Sequence, residues 1–135
     1  MEHEVIETAV ARYHEALERD DLQAWLRLFT EDVQSQSPVG GPIIQGLEGM
    51  RLAFKTIRST LRELSFDRGP VFVGPGAGAV QWTGRGVAMN GRPVTFSGIN
   101  IFHVNLRGKI RRIEAYWDPN DLMRQIHGTA HGEEG

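Results

Sequence analysis

The segment AVQWTGRGVAMNGRPVTFSGINIFHV, residues 79–104, decides the fold. Asn90-Gly91 sits near its centre. Asn-Gly suits a two-residue β-turn because both residues tolerate positive φ. The arms on either side, Ala79 to Met89 and Val94 to Val104, hold Val, Ile, Thr, Phe and Trp, and predict two antiparallel strands. Asn100 shares one face with Phe96, Gly98 and Phe102. Either that face is interior, or Ile99 and Ile101 are interior and Asn100 meets solvent. In the first arm Gln81, Thr83 and Arg85 alternate with Val80, Trp82 and Gly84. One register turns the polar set inward and offers Arg85 an acidic or phenolate partner. A slip of one residue turns Trp82 inward and Arg85 to solvent.

Downstream, Arg107-Gly108 predicts a tight turn and Ile110 to Trp117 a last strand. Asp118-Pro119 has the form of an N-cap followed by a first helical proline, opening a helix over Asn120 to Ile126. Upstream, Gly74 to Gly78 reads as a turn, and Leu64-Ser65-Phe66 and Val71-Phe72-Val73 as short strands. Gly84, Gly86 and Gly98 fit bends that let a sheet curl.

The first half is helical. Ile6, Val10, Tyr13 and Leu17, with Ala9 and Ala16 beside them, form one stripe at the helical period. After Arg19, Asp20 or Asp21 can cap a short helix containing Leu22, Trp25, Leu26 and Phe29. Val33 to Ser37 reads as extended, Pro38 ends it, and Val39 to Pro42 forms a loop. Met50, Phe54 and Ile57 stripe a third helix from about Leu47 to Thr60. Three helices followed by an antiparallel meander predict an α+β domain: a strongly curved sheet wrapped by N-terminal helices around a cavity.

The chain has 135 residues, 40% hydrophobic and 24% charged, which suits one domain over residues 1–127 with a loose polar tail over 128–135. A net charge of −2 argues against holding nucleic acid by phosphate neutralisation. Without cysteine, thiolate chemistry and Cys-based zinc sites are excluded. No apolar run has the length of a membrane span, and Met1-Glu2-His3-Glu4 lacks the pattern of a signal peptide, so a cytoplasmic protein is expected. There is no Walker, GxGxxG, GxSxG or HExxH motif, and Gly74-Pro75-Gly76 lacks the helix and lysine of a phosphate loop. No cofactor is expected. His127 and His131 lack a third ligand, so no metal is expected either.

Four segments carry a family likeness: Ala11-Arg12-Tyr13, Leu28 to Val33, the loop Ser37 to Gly46, and Gly108-Lys109-Ile110 through Trp117. They resemble the ketosteroid isomerases and, more broadly, the nuclear transport factor 2-like superfamily that includes the SnoaL-like polyketide cyclases. The likeness runs from about Ile6 to Met123. It implies a cone-shaped α+β barrel with a deep apolar pocket, commonly dimerised through the sheet. Fold alone does not give function in such a superfamily. Laid on without gaps, the isomerase tyrosine, loop aspartate, strand aspartate and final tryptophan fall on Tyr13, Ser37, Asn100 and Trp117. In that chemistry one aspartate moves a proton while the tyrosine and a protonated aspartate hydrogen-bond the dienolate oxygen. Here both aspartates are replaced. Tyr13 and Asn100 keep the donor half. The Ser37 hydroxyl is a very poor base, so a standard 3-oxosteroid double-bond shift is not expected.

The remaining residues are read beside that pattern. Trp117, Phe54, Phe96 and Phe102 would wall the pocket, with Arg85 as a polar partner in one register. His14, about 100° from Tyr13 around the helix, is either a pocket-rim base or, as a bare histidine beside the stripe, a surface residue. Asp118 is either a replacement acid–base group or the cap of the last helix. His103 should face away from Asn100. The resulting expectation is an isomerase, cyclase or dehydratase acting on an apolar polycyclic or polyketide-like compound with a carbonyl or phenol. The alternatives are a binding protein without turnover and a homodimeric interaction module.

Overall fold

The computed structural model describes residues 2–128. The elements in chain order are α1 (Glu2–Glu18), α2 (Leu22–Leu26), β1 (Phe29–Gln36), β2 (Ile43–Gln45), α3 (Gly46–Thr60), β3 (Leu61–Gly74), β4 (Ala77–Ala88), β5 (Pro93–Val104), β6 (Ile110–Trp117) and α4 (Pro119–His127). The tail over 129–135, with His131, lies outside the described residues.

The hairpin forms, but its turn is a three-residue loop, Met89-Asn90-Gly91, closed by Ala88 N–H donating to Arg92 O at 2.8 Å, and of the expected pair only Gly91 takes positive φ. Gly91 takes φ +90°, and its N–H donates to Ala88 O at 2.9 Å. The six strands form one curved, unclosed sheet in the order β2-β1-β6-β5-β4-β3. β3 to β6 is the expected antiparallel meander. β1 joins it parallel to β6, with Ser35 opposite Ile113. β2 is a three-residue edge strand inside the segment read as loop, too short to leave an alternation pattern. The two short runs at Leu64 and Val71 belong to one strand, β3. Its pairing shifts between Arg68 and Val71, where Gly69-Pro70 interrupts the ladder because proline has no N–H.

Asp21 caps α2 by accepting from Ala24 N at 3.1 Å, while Asp20 takes φ +58°. Phe29, expected in α2, instead opens β1. Asp118 accepts from Asn120 N at 3.0 Å with Pro119 next, as the cap pattern implies. The main core packs Ile6, Val10, Trp25, Val33, Phe102 and Ile113 between the helices and the inner sheet face. Among the described residues, no helix is long and apolar enough to cross a membrane.

Candidate active site

Strand alternation decides what meets the interior. On β5, Asn100 and Phe102 are buried, while Ile99 is 46% exposed. On β4, Val80 and Trp82 are buried, with Val80 opposite Asn100 and Trp82 opposite Gly98. The expectation that Arg85 could bind a ligand is therefore corrected. Arg85 points to solvent and pairs with Asp67 at 3.0 Å, both side chains more than half exposed. The polar set of β4 is the outer set.

Small residues on the inner face make the space. Gly98 lies between Trp82 and Trp117, whose ring centroids are 6.3 Å apart. A Cβ on Gly98 would sit 2.5 Å from Tyr116 O and 2.8 Å from both tryptophan side chains. Ala115 stands opposite Asn100 on β6. Over these residues, and under α1, α3 and α4, lies a cavity of about 400 Å³. Tyr13, His14, Ser35, Ser37, Trp82, Phe96, Asn100 and Trp117 all line it. Met50, Leu64 and Phe66 extend its apolar wall, and Ile44, Pro119 and Met123 lie along it from β2 and α4. None of its lining residues is Asp, Glu, Lys or Arg. A shallower groove of about 480 Å³ lies between α1 and β3, lined by Glu7, Asp67 and Arg68. It is open, more polar, and contains none of the expected site residues.

Hydrogen bonds orient the polar groups. Trp82 Nε1–H donates to Asn100 Oδ1 at 2.8 Å. An indole nitrogen can only donate, so this bond fixes the amide orientation and leaves the Asn100 NH₂ as a donor. Trp117 Nε1–H donates to Ser37 Oγ at 2.8 Å, leaving the Ser37 O–H free to donate. The Tyr13 ring is held edge-on to Phe102, with centroids 5.0 Å apart. Burial raises its phenol well above the ordinary range, so it stays protonated and can donate.

His14 departs from the surface expectation. It is 1% exposed and lines the cavity. The missed signal lies in the helix spacing: Ile6, Val10 and His14 recur at +4, on the buried arc of α1. Burial pushes its pKa down to about 4, against the Val10 hydrogen bond and with Arg68 adding to the lowering.

Three further expectations are corrected. Phe54 and Phe102 are buried core residues, not cavity wall; Phe54 packs on Trp25, and Phe102 lies behind Tyr13. Asp118 lines no part of the cavity, and its carboxylate is committed to the α4 cap. His103 does face away from Asn100, pairing with Glu114 at 2.9 Å on the outer face. That hydrogen bond, chiefly, holds the Glu114 carboxyl below its usual range. Ser35, buried on the same face of β1 as Val33, and Trp82, the partner of Asn100, went unassigned from sequence. The period-2 run from Val33 to Ser37 carries the signal for Ser35. Among the described residues, no group of three or more His, Asp or Glu could hold a metal ion.

Residues 10–113 match the family model of the SnoaL-like domain. A structure of SalBIII, an epoxide hydrolase/cyclase-like enzyme in pyran ring formation of the polyether salinomycin, superposes with a TM-score of 0.77. It is 22% identical over 85% of this chain and 92% of its own. An NTF2-like protein of unknown function from Burkholderia pseudomallei gives a TM-score of 0.78 at 22% identity, over 90% and 97% of the two chains. Another, from Exiguobacterium, gives 0.71 at 16%, over 82% and 98%. At these identities the likeness is one of fold, the NTF2-like cone.

Proposed function

The chain belongs to the SnoaL-like domain family, and from that premise we propose that it is a small-molecule isomerase or cyclase-type enzyme. Its substrate would be an apolar polycyclic or polyketide-like compound bearing a carbonyl or phenol oxygen. Tyr13 and Asn100 would polarise that oxygen, with Ser37 as a third donor and Phe96 and Trp117 as walls. The observation that carries this reading is the cavity itself: apolar, free of charged residues, with the Asn100 NH₂ oriented by Trp82. A fixed donor in a dry site stabilises a developing oxyanion more than a mobile one in water. Holding a flexible substrate in a reactive fold supplies the rest. No carboxylate lines the cavity, so the aspartate base of the isomerases has no counterpart there, and His14 is the one nitrogen base among the lining residues. The reaction would be an isomerisation, cyclisation or dehydration. A homodimer through the outer sheet face accompanies this reading, because Ile99 and Tyr116 stand exposed and opposite each other there.

The same lack of a carboxylate favours a second reading, a binding protein that holds such a ligand without turnover. Tryptophan fluorescence tests the shared premise. A fused-ring phenol should bind in the micromolar range, about −8 kcal/mol. Tyr13→Phe should weaken it several-fold. No binding, or equal binding, would remove Tyr13 from the site. Turnover then separates enzyme from binder. Asn100→Asp with Ser37→Asp should restore some 3-oxosteroid isomerisation if the gap-free correspondence is right. A folded double variant with no gain would count against it.

A further inference from the structure

His14 Nδ1 lies 3.0 Å from Val10 O, four residues back on α1. A carbonyl oxygen can only accept, so Nδ1 carries the hydrogen. In the neutral ring Nε2 then holds an in-plane lone pair. No group among the described residues hydrogen-bonds Nε2. The ring is held by Tyr13, Phe66 and Phe102, at centroid distances of 5.1, 4.7 and 6.1 Å, all near edge-on. Its orientation is thus set from both sides, by a backbone bond and by packing. The cavity has donors in Asn100, Tyr13 and Ser37 and a fixed acceptor in His14.

Resting on the reading of this cavity as the ligand site, the geometry points to His14 as the residue that selects the ligand. The ligand class is a neutral molecule that presents a hydroxyl hydrogen to Nε2 while a second oxygen takes hydrogen bonds from the donors. An acceptor that a ligand covers and leaves unpaired is costly, so a ligand that supplies the hydrogen is favoured over an otherwise equal one that does not. An anion is disfavoured for a separate reason. No Lys or Arg lines the cavity to offset its lost hydration. A carbonyl group alone would satisfy the donors and leave His14 empty. A hydroxyl alone would serve His14 and leave the donors underused. The two together, on one fused-ring frame, answer the whole cavity.

Three matched probes test this with the full chain at neutral pH. They are a naphthol carrying a methyl ketone on its other ring, its methyl ether, and the naphthol carboxylate in place of the ketone. The naphthol ketone should bind at least about five-fold tighter than the ether, the scale of one net hydrogen bond. The carboxylate should bind more weakly than either. In His14→Phe the preference for hydroxyl over ether should fall to near unity while the ether still binds. A merely structural role would instead weaken every probe alike and keep the ratio. As a measurement independent of any variant, the ¹⁵N resonance of His14 Nε2 in the native chain should move on addition of the naphthol ketone and stay put with the ether. Equal binding of naphthol and ether, or an unmoved Nε2 resonance at saturation, overturns the proposal while the cavity reading stands. Tight binding of the carboxylate overturns the exclusion of anions. If none of the three probes binds, the cavity reading falls and this proposal with it.

Discussion

Acidification should unfold this protein partly through one side chain. His14 is held near pKa 4 in the folded chain, against 6.5 in an open one, and the cause is burial. The folded pKa lies below the unfolded one, so the unfolded chain takes up the proton first. Stability from this source is intact above about pH 6.5, declines as pH falls between 6.5 and 4, and levels off below. Each pH unit inside that window is worth about 1.4 kcal/mol. Half-protonation at the lower end trims the total, leaving a loss of about 3 kcal/mol from neutral pH to pH 4, on a native stability of about 5–15 kcal/mol. Other groups add to the acid loss, among them Glu114, whose carboxyl is held down by His103. A comparison with His14→Gln isolates the histidine, because glutamine does not titrate. Urea unfolding of both proteins at neutral pH, near 5.5 and near 4 gives the difference directly. At 5.5 the native chain should have lost about 1.4 kcal/mol more than the variant, and at the lowest pH about 3. Parallel loss in the two proteins would refute the claim that His14 is buried in its neutral form, and with it the lone pair on Nε2.

The remaining predictions concern the cavity and its surroundings. Trp82→Phe leaves Asn100 Oδ1 buried without its donor and should cost about 1–3 kcal/mol in urea unfolding. Adding Asn100→Leu should recover part of that loss, and strict additivity would mean that the two side chains do not act as a pair. Gly98→Ala puts a methyl 2.5 Å from a backbone oxygen, which cannot swing aside. It should cost about 1–3 kcal/mol and change the near-ultraviolet circular dichroism of Trp82 and Trp117. Arg85→Ala removes only an exposed ion pair with Asp67, so stability should stay within about 0.5 kcal/mol and ligand affinity should not change. A several-fold affinity loss there would return Arg85 to the site.

Much of the fold is legible because its signals are local. The chain reversal at Asn90-Gly91 needs only a glycine free to take positive φ, although the loop holds three residues, not two. The Asp118-Pro119 helix start needs only a capping carboxylate and a ring with its φ already set. The cavity walls were partly legible for the same reason: Phe96 and Asn100 share a face whatever lies above it. Which of the two faces is inside was not legible for β4. Val80, Trp82 and Gly84 are inside because β4 pairs with β5 at Val80 opposite Asn100. A one-residue slip would have reversed Trp82 and Arg85 without changing either strand's own pattern.

The sequence by itself determined the helices, the hairpin, the final strand and helix, and the absence of thiol chemistry, since each depends on neighbours along the chain. Only the tertiary structure decided three things. It made β3 continuous through Gly69-Pro70, because pairing with β4 resumes after the break. It separated Phe54 and Phe102, which fill the core, from Phe96 and Trp117, which face open space, because that division depends on which elements pack over each ring. And it buried His14. The +4 spacing from Ile6 and Val10 puts His14 at the edge of the sheet-facing arc, and packing against Phe66 and Phe102, from strands far away in sequence, encloses it. The charge state of His14 follows from that enclosure.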